Sequence, residues 1–188
     1  MFDGTDRPRP ELGEPVGPED LFWSPGEDEW DPRPIATRLI QREEVFADVR
    51  NGEATILFLM RVEPKIKSGL PVRGEMCLPR FSGALAHVGT WMLSRLCDGV
   101  PDFIMLLDAG WWEQAPPLQR EALVFHELLH ARHATDRDGE LKFTPEGMPC
   151  WDLRPHDIEE FDDVVRRYGA WQPDVQRFIG ALRDGGAI

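Results

Sequence analysis

The residues with the clearest chemical potential form one pentapeptide, His126-Glu127-Leu128-Leu129-His130. It lies in a segment, residues 118–134, whose composition and apolar period predict a helix. Side chains four residues apart on a helix lie on one face, one turn apart. The imidazoles of His126 and His130 can therefore converge on a single metal ion. Their ligand type favours Zn²⁺, although Co²⁺ or Mn²⁺ can occupy such sites in practice.

Glu127 lies about 100° round the helix axis from His126. This places its carboxylate where it can take a proton from a water bound to the same ion. A bound zinc ion lowers the pKa of that water from 15.7 to roughly 7, so a carboxylate can generate hydroxide at neutral pH. The spacing predicts Glu127 as the catalytic acid–base of a metal-assisted hydrolysis.

A catalytic zinc site of this type takes a third protein ligand and keeps one position open. His156 stands at the start of another predicted helix, and Glu159 and Glu160 follow one turn later. The connection before this helix is long enough to fold back toward His130. The apolar period of the helix does not choose among His156, Glu159 and Glu160, so all three remain candidate ligands.

Three other polar side chains have two interpretations each. His133 shares the predicted helix, but its separation of seven positions from His126 amounts to about 10.5 Å of rise, so we interpret it as a surface histidine near the helix C-terminus. Cys150 either supplies a thiolate to the fourth metal position or packs as a small apolar residue, and packing is favoured. Tyr168 either donates to an oxyanion or packs in the core, again with packing favoured.

The apolar patterns along the chain indicate the elements that position these residues. They predict helices over 35–50, 82–96, 118–134, 156–171 and 173–184, and strands over 54–63, 73–80 and 102–108. The first two strands are expected to pair with each other. Residues 134–155 are expected to form a long irregular connection with a hairpin near Asp138-Gly139.

Residues 1–34 differ from the remainder of the chain. They contain seven prolines and ten acidic residues but few large apolar side chains. Such a composition buries little surface, so we expect an acidic, Pro-rich arm that is disordered or docked. Residues 35–188 are expected to form the folded domain. The cluster Leu21-Phe22-Trp23 is the part of the arm expected to dock on that domain.

The composition excludes several classes of function. The 188 residues are 41% hydrophobic and carry a net charge of −13. Binding to a nucleic acid backbone or to an anionic membrane surface depends on lysine and arginine, so neither partner is expected. The N-terminus lacks the apolar core of a secretion signal, and three widely spaced cysteines do not form a disulfide framework. A cytoplasmic protein is the expectation.

Three segments together resemble a known family, the phage metallopeptidases. They are DFIMLLDAGWW, LQREALVFHELLHARH and RPHDIEEFDDVVRRYGAW. The family pattern has a strand that leads to an H-E-L-x-H helix, and then an H-D-x-E-E-F helix that ends in an R-Y-G-x-W-like segment. The similarity covers roughly residues 35–175, and the H-D-I-E-E-F segment makes it more specific than the H-E-x-x-H motif by itself.

The resemblance implies an α+β, zincin-like metallopeptidase domain in which a small mixed sheet packs on the HExxH helix. It implies zinc-dependent hydrolysis of a peptide bond in a protein or peptide substrate. Carried over by position, His126 and His130 are metal ligands, Glu127 is the catalytic residue, and His156 is the third ligand. In an open zincin cleft an edge strand pairs with extended substrate, and residues 102–114 are the expected strand.

Two other functions remain open from the sequence. The first is a metal-stabilised binding, regulatory or virion-associated protein without turnover, although the intact Glu127 argues against a purely structural metal site. The second is a metal-dependent amidase that acts on something other than protein. Neither the substrate nor the oligomeric state follows from the residues.

Overall fold

The computed structural model describes residues 21–97, 99–158, 165–166, 169–170 and 172–186. Helices and small sheets both occur, so the predicted α+β class is confirmed. The chain divides into two compact units, Met1–Arg154 and Pro155–Ile188.

Eight strands are found among the described residues. They are β1 (Phe22–Trp23), β2 (Ile56–Arg61), β3 (Lys65–Lys67), β4 (Leu70–Val72), β5 (Gly74–Cys77), β6 (Phe103–Asp108), β7 (Ala131–His133) and β8 (Trp151–Leu153). Four of them form the main sheet in the order β1-β2-β6-β5. Strands β2 and β6 are parallel, whereas β1 and β5 run antiparallel to their neighbours. The sheet is therefore mixed, as the family resemblance implied.

The position of β6 corrects two predictions. It lies between β2 and β5, so both of its edges are already hydrogen-bonded and it cannot pair with a substrate as residues 102–114 were expected to do. The strand over 73–80 was predicted to pair with β2, but β5 pairs with β6, with Gly74 opposite Leu107 and Met76 opposite Met105. Within the described sheet, β5 is the edge strand on the side of β6.

Five helices of the first unit are described. They are α1 (Arg33–Arg42), α2 (Ala47–Asn51), α3 (Ala86–Leu96), α4 (Ala109–Gln114) and α5 (Pro117–His130). Helix α4 was not predicted, and the bounds of the others differ from the predicted ones. The single helix predicted over 35–50 is broken at Glu43, which is extended (φ −91°, ψ 126°), and a 3₁₀ turn, Glu44–Phe46, follows. Side chains on both sides of the break, Leu39 and Phe46, are buried in one core, so the break lets both face the same interior.

Helix α5 ends at His130, four residues earlier than the sequence predicts. Ala131 is extended (φ −76°, ψ 122°), and residues 131–133 form β7, which pairs with β8. The backbone N–H of Arg154 donates to the carbonyl oxygen of His130 at 2.7 Å. Pairing with residues distant in sequence therefore satisfies the backbone groups that a continued helix would have satisfied locally.

The connection predicted to be irregular is a small meander of three segments. The backbone N–H of Lys142 donates to Ala134, and that of Cys150 donates to Lys142, each at 2.9 Å. The first reversal lies at Asp138-Gly139, where Gly139 has a φ of 86°, a conformation that favours glycine. The hairpin expected at this dipeptide is therefore confirmed.

The core lies between one face of the sheet and helix α5. Met60, Met105 and Leu107 on the strands have no exposed surface, and neither do Val124 and Leu128 on α5. This packing fixes α5 against the sheet, with β5 alongside it. The faces of the helix that carry the pentapeptide are thereby held in one orientation.

At the N-terminal end of the described chain, β1 pairs with β2, with Phe22 opposite Arg61 and Trp23 opposite Met60. Trp30 is buried in the core and contacts Trp23, with ring centroids 5.7 Å apart. These aromatic residues thus pack on the first unit.

The second unit contains helix α6 (Pro173–Asp184), which confirms the final predicted helix. Of the helix predicted over 156–171, residues 156–158 are not helical and residues 165–166 are. The greater part of that prediction, including Glu159, Glu160 and Tyr168, falls outside the described residues. In the part of the chain that is described, no helix combines the length and the apolar character needed to cross a bilayer.

Candidate metal centre

His126 and His130 lie on the last turn of helix α5, as their spacing predicts. Their ring centroids are 5.3 Å apart and the ring planes meet at 78°. His126 is exposed and His130 is half-buried. The end of the helix at His130 places both imidazoles where the chain leaves the helix.

The ring of His130 is oriented by a backbone carbonyl. Its Nδ1 lies 2.7 Å from the carbonyl oxygen of Arg154. Because a carbonyl oxygen can only accept, Nδ1 carries the proton and Nε2 carries the lone pair. A histidine that ligates a metal through one nitrogen usually donates from the other, so this contact prepares Nε2 as a ligand atom.

His126, His130 and His156 form a group that can hold a metal ion. One ring nitrogen from each lies within 4.8 Å of the others. Three of the five histidines of the chain are members of this group. The donor set consists of imidazoles, whose neutral form suits Zn²⁺ and other borderline divalent ions as a ligand.

Glu127 is buried, with 3% of its surface exposed. Burial raises the pKa of its carboxyl group to about 7, and the charge of Glu75 acts in the same direction. The backbone N–H of Met76 donates to the carboxylate and opposes the shift. A buried carboxyl group that lies between two metal-ligand candidates in the sequence can therefore exchange a proton near neutral pH.

Gly74 on the edge strand β5 is what permits Glu127 to occupy this position. A Cβ atom at residue 74 would lie 2.5 Å from Oε1 of Glu127 and 2.9 Å from its Cδ. No side chain other than hydrogen fits there without moving the carboxylate. Strand β5 thus flanks Glu127 closely through Gly74 and Met76.

A charged network continues from this strand. Arg61, which is buried, donates from Nη1 to Oε2 of Glu75 at 2.9 Å and from Nη2 to the carbonyl oxygen of Val72. Lys65 donates from Nζ to Oε1 of the same Glu75 at 2.6 Å. The carboxylate of Glu75 is therefore held by two cations on the side of β5 next to the hairpin β3–β4.

The structure corrects the interpretation of His133. It is not a surface residue at a helix terminus, because the helix ends before it and only 7% of its surface is exposed. Its Nε2–H donates to the carbonyl oxygen of Lys142 at 2.7 Å, and its ring packs on Phe143 and Trp151. His133 is therefore a buried packing residue of the meander.

Cys150 was another candidate ligand that the sequence offered. Cys150 is a half-buried free thiol in the meander and is not a member of the histidine group.

Sequence reasoning missed Gly74 and Met76, which contact Glu127 from a strand far away along the chain. One signal was available, since an isolated glycine in a strand often marks a close approach by another group.

Comparison with known proteins identifies the family. A family model described as "putative phage metallopeptidase" matches residues 26–183. The match spans most of the chain, so the protein belongs to this family, and the resemblance stated from the sequence is confirmed. Membership implies a metal and a hydrolytic role as a peptidase. Comparison with curated proteins gave no significant match, nor did comparison with solved structures.

Proposed function

We propose that the protein is a zinc-dependent peptidase with a zincin-like site, in which His126, His130 and His156 hold the ion and Glu127 transfers the protons. The single observation that carries this proposal is the buried carboxylate of Glu127 between two histidines whose ring nitrogens approach a third. Membership of a metallopeptidase family supports it. A purely structural metal site has no need of a buried acid at that place.

The residues present fit a zinc ion of the catalytic type. Three imidazoles would leave one position of a tetrahedral ion for water or substrate. The hydrogen bond from His130 to the carbonyl of Arg154 already fixes the tautomer that a ligand needs. When bound, zinc acidifies a water molecule and polarises the carbonyl of the scissile bond.

Glu127 performs the proton transfers of the proposed reaction. Its carboxylate accepts a proton from the attacking water as the oxygen adds to the scissile carbonyl carbon. It then returns that proton to the nitrogen of the leaving amine as the C–N bond breaks. The reaction consumes one water molecule for each peptide bond and yields one carboxylate product and one amine product.

The described sheet offers one edge beside this carboxylate, that of β5. An extended peptide adds to an open sheet edge by main-chain hydrogen bonds. We assign substrate pairing to β5, because β6 is paired on both sides. Gly74 and Met76 place this edge strand in contact with Glu127, so a peptide aligned there would pass the proton-transferring group.

The substitution Glu127→Gln tests the proposal. It removes the base but keeps the size of the side chain, so peptide hydrolysis should fall by about 10²–10⁴-fold while bound zinc is unchanged. Hydrolysis of a quenched fluorescent peptide library and zinc content by elemental analysis are the two measurements. The matched control is Glu121→Gln on the same helix, whose only described ion pair is with exposed Arg38. Retained hydrolysis in Glu127→Gln would refute the assigned mechanism.

A further inference from the structure

Strands β3 and β4 form an exposed hairpin that the proposed mechanism does not use. Lys65 lies opposite Val72 and Lys67 opposite Leu70. The turn is Ser68-Gly69, with φ values of 51° and 79°, as in the tight turns whose twist suits a two-residue hairpin. The hairpin is therefore a well-formed element rather than an irregular loop.

The base of the hairpin is fixed to the strand that flanks Glu127. Only Arg73 separates the end of β4 from Gly74, so β4 ends within about 7 Å of Gly74 along the chain. Arg61 holds both Val72 and Glu75, and Lys65 holds Glu75 from the other strand. A peptide aligned on β5 would therefore extend past the hairpin.

The hairpin is locally cationic in an acidic protein. The chain has 34 acidic and 21 basic residues, yet residues 65–73 contain Lys65, Lys67 and Arg73 and no acid. Lys65 pairs with Glu75, and the guanidinium of Arg73 lies 5.2 Å from the centre of the Trp111 ring. Lys67 is exposed and makes no ion pair with any residue that the structure describes.

Large aliphatic side chains accompany this lysine. Leu70 lies directly opposite Lys67 on the paired strand and is 70% exposed, and Ile66 is 60% exposed. Opposite residues in an antiparallel pair lie on the same face. That face thus presents the ammonium group of Lys67 beside the aliphatic side chain of Leu70, and the other lysine on the same face, Lys65, is paired with Glu75.

We propose that this hairpin selects the substrate, by binding a segment in which an acidic residue accompanies an apolar one. The ammonium of Lys67 would pair with the carboxylate, and Leu70 would cover the apolar side chain. The inference rests on the proposed peptidase function and adds a substrate class to it. Lys67 acts in specificity and not in the chemical step, because it is outside the group formed by the histidines and Glu127.

The test compares Lys67→Glu with the matched control Lys142→Glu, which reverses the third lysine of the chain on the exposed surface of the meander. The probes are fluorogenic peptides of one sequence that carry Asp, Asn or Lys at a single position. We expect the wild type to prefer Asp. Exposed ion pairs contribute up to about 1 kcal/mol, so Lys67→Glu should lower kcat/KM for the Asp peptide by up to about fivefold, mainly through KM.

Ionic strength gives an independent readout, since salt screens exposed charges. The preference for Asp over Asn should shrink as sodium chloride is raised in the wild type and should be absent in Lys67→Glu. The variant Lys67→Gln, which removes the charge without reversing it, should lie between them. Equal behaviour of Lys67→Glu and Lys142→Glu with all three peptides would overturn the inference while leaving the peptidase function standing.

A measurement of peptide binding tests the role of the hairpin independently of peptide hydrolysis. The zinc-loaded Glu127→Gln protein should bind the fluorescent Asp peptide more tightly than the Lys peptide in anisotropy measurements, and Lys67→Glu in that background should remove the difference. A protein that hydrolyses no peptide but shows this difference would refute the proposed function alone. Equal affinity for the two peptides would refute the hairpin assignment.

Discussion

The position of the buried Glu127 carboxylate depends on Gly74, a neighbour that has no side chain. The helical placement of His126, Glu127 and His130 could be predicted because their spacing is local and a helix fixes which face they share. The part played by Gly74 could not, since it arises where a strand distant in sequence approaches Oε1 of Glu127. Residue types at short spacing therefore lead to a chemical hypothesis, but they do not predict the contacts that hold the acid in place.

Gly74→Ala tests this contact. The added methyl group would meet the carboxylate at 2.5 Å, so Glu127 must move. Misplacement of a catalytic group by about 1 Å can cost about 10²-fold in rate, and we expect kcat for peptide hydrolysis to fall by at least about tenfold while zinc content stays the same. Gly26→Ala is the matched control, because nothing lies within 4 Å of a Cβ at that position. Equal activity of both variants would show that the close approach at Gly74 is unimportant.

At the scale of elements, the positions of most helices and of the three longest strands, β2, β5 and β6, could be predicted. The five shorter strands, the ends of the elements and the order of the sheet could not. The predicted helix extends through Ala134, yet the helix ends at His130 because β7 pairs with β8. In the same way, the apolar run of β6 predicts a buried strand, but only the assembled sheet shows that β5 forms the edge. Both features depend on pairing between distant segments, which no local pattern encodes.

His133→Ala tests the corrected role of that histidine. Loss of its ring removes contacts with Phe143 and Trp151 and one of the two hydrogen bonds that the carbonyl oxygen of Lys142 accepts. We expect the free energy of unfolding to fall by about 2 kcal/mol, with zinc content per folded chain unchanged. Urea denaturation and elemental analysis are the measurements, with the exposed His87→Ala as control. Loss of zinc from folded His133→Ala would instead make this residue a ligand.

For the whole molecule, charge and composition limited the classes of function but did not identify one. The net charge of −13 argued against nucleic acid and anionic membrane surfaces. The specific prediction came from the arrangement of three segments, and the family match over residues 26–183 confirms it. The overall composition does not reveal that charge is unevenly distributed. The cations of residues 65–73 lie next to the edge strand β5, although the protein as a whole is acidic.

The central claim is that three histidines hold one zinc ion, and the zinc content of purified protein tests it most directly. Untagged protein prepared without chelators should contain about one zinc per chain. His126→Ala, His130→Ala and His156→Ala should each lose most of it, whereas His87→Ala should retain it. Zinc retained in His156→Ala would contradict the proposed ligand set, and wild-type protein that binds no zinc even when zinc is supplied would contradict the metal site altogether.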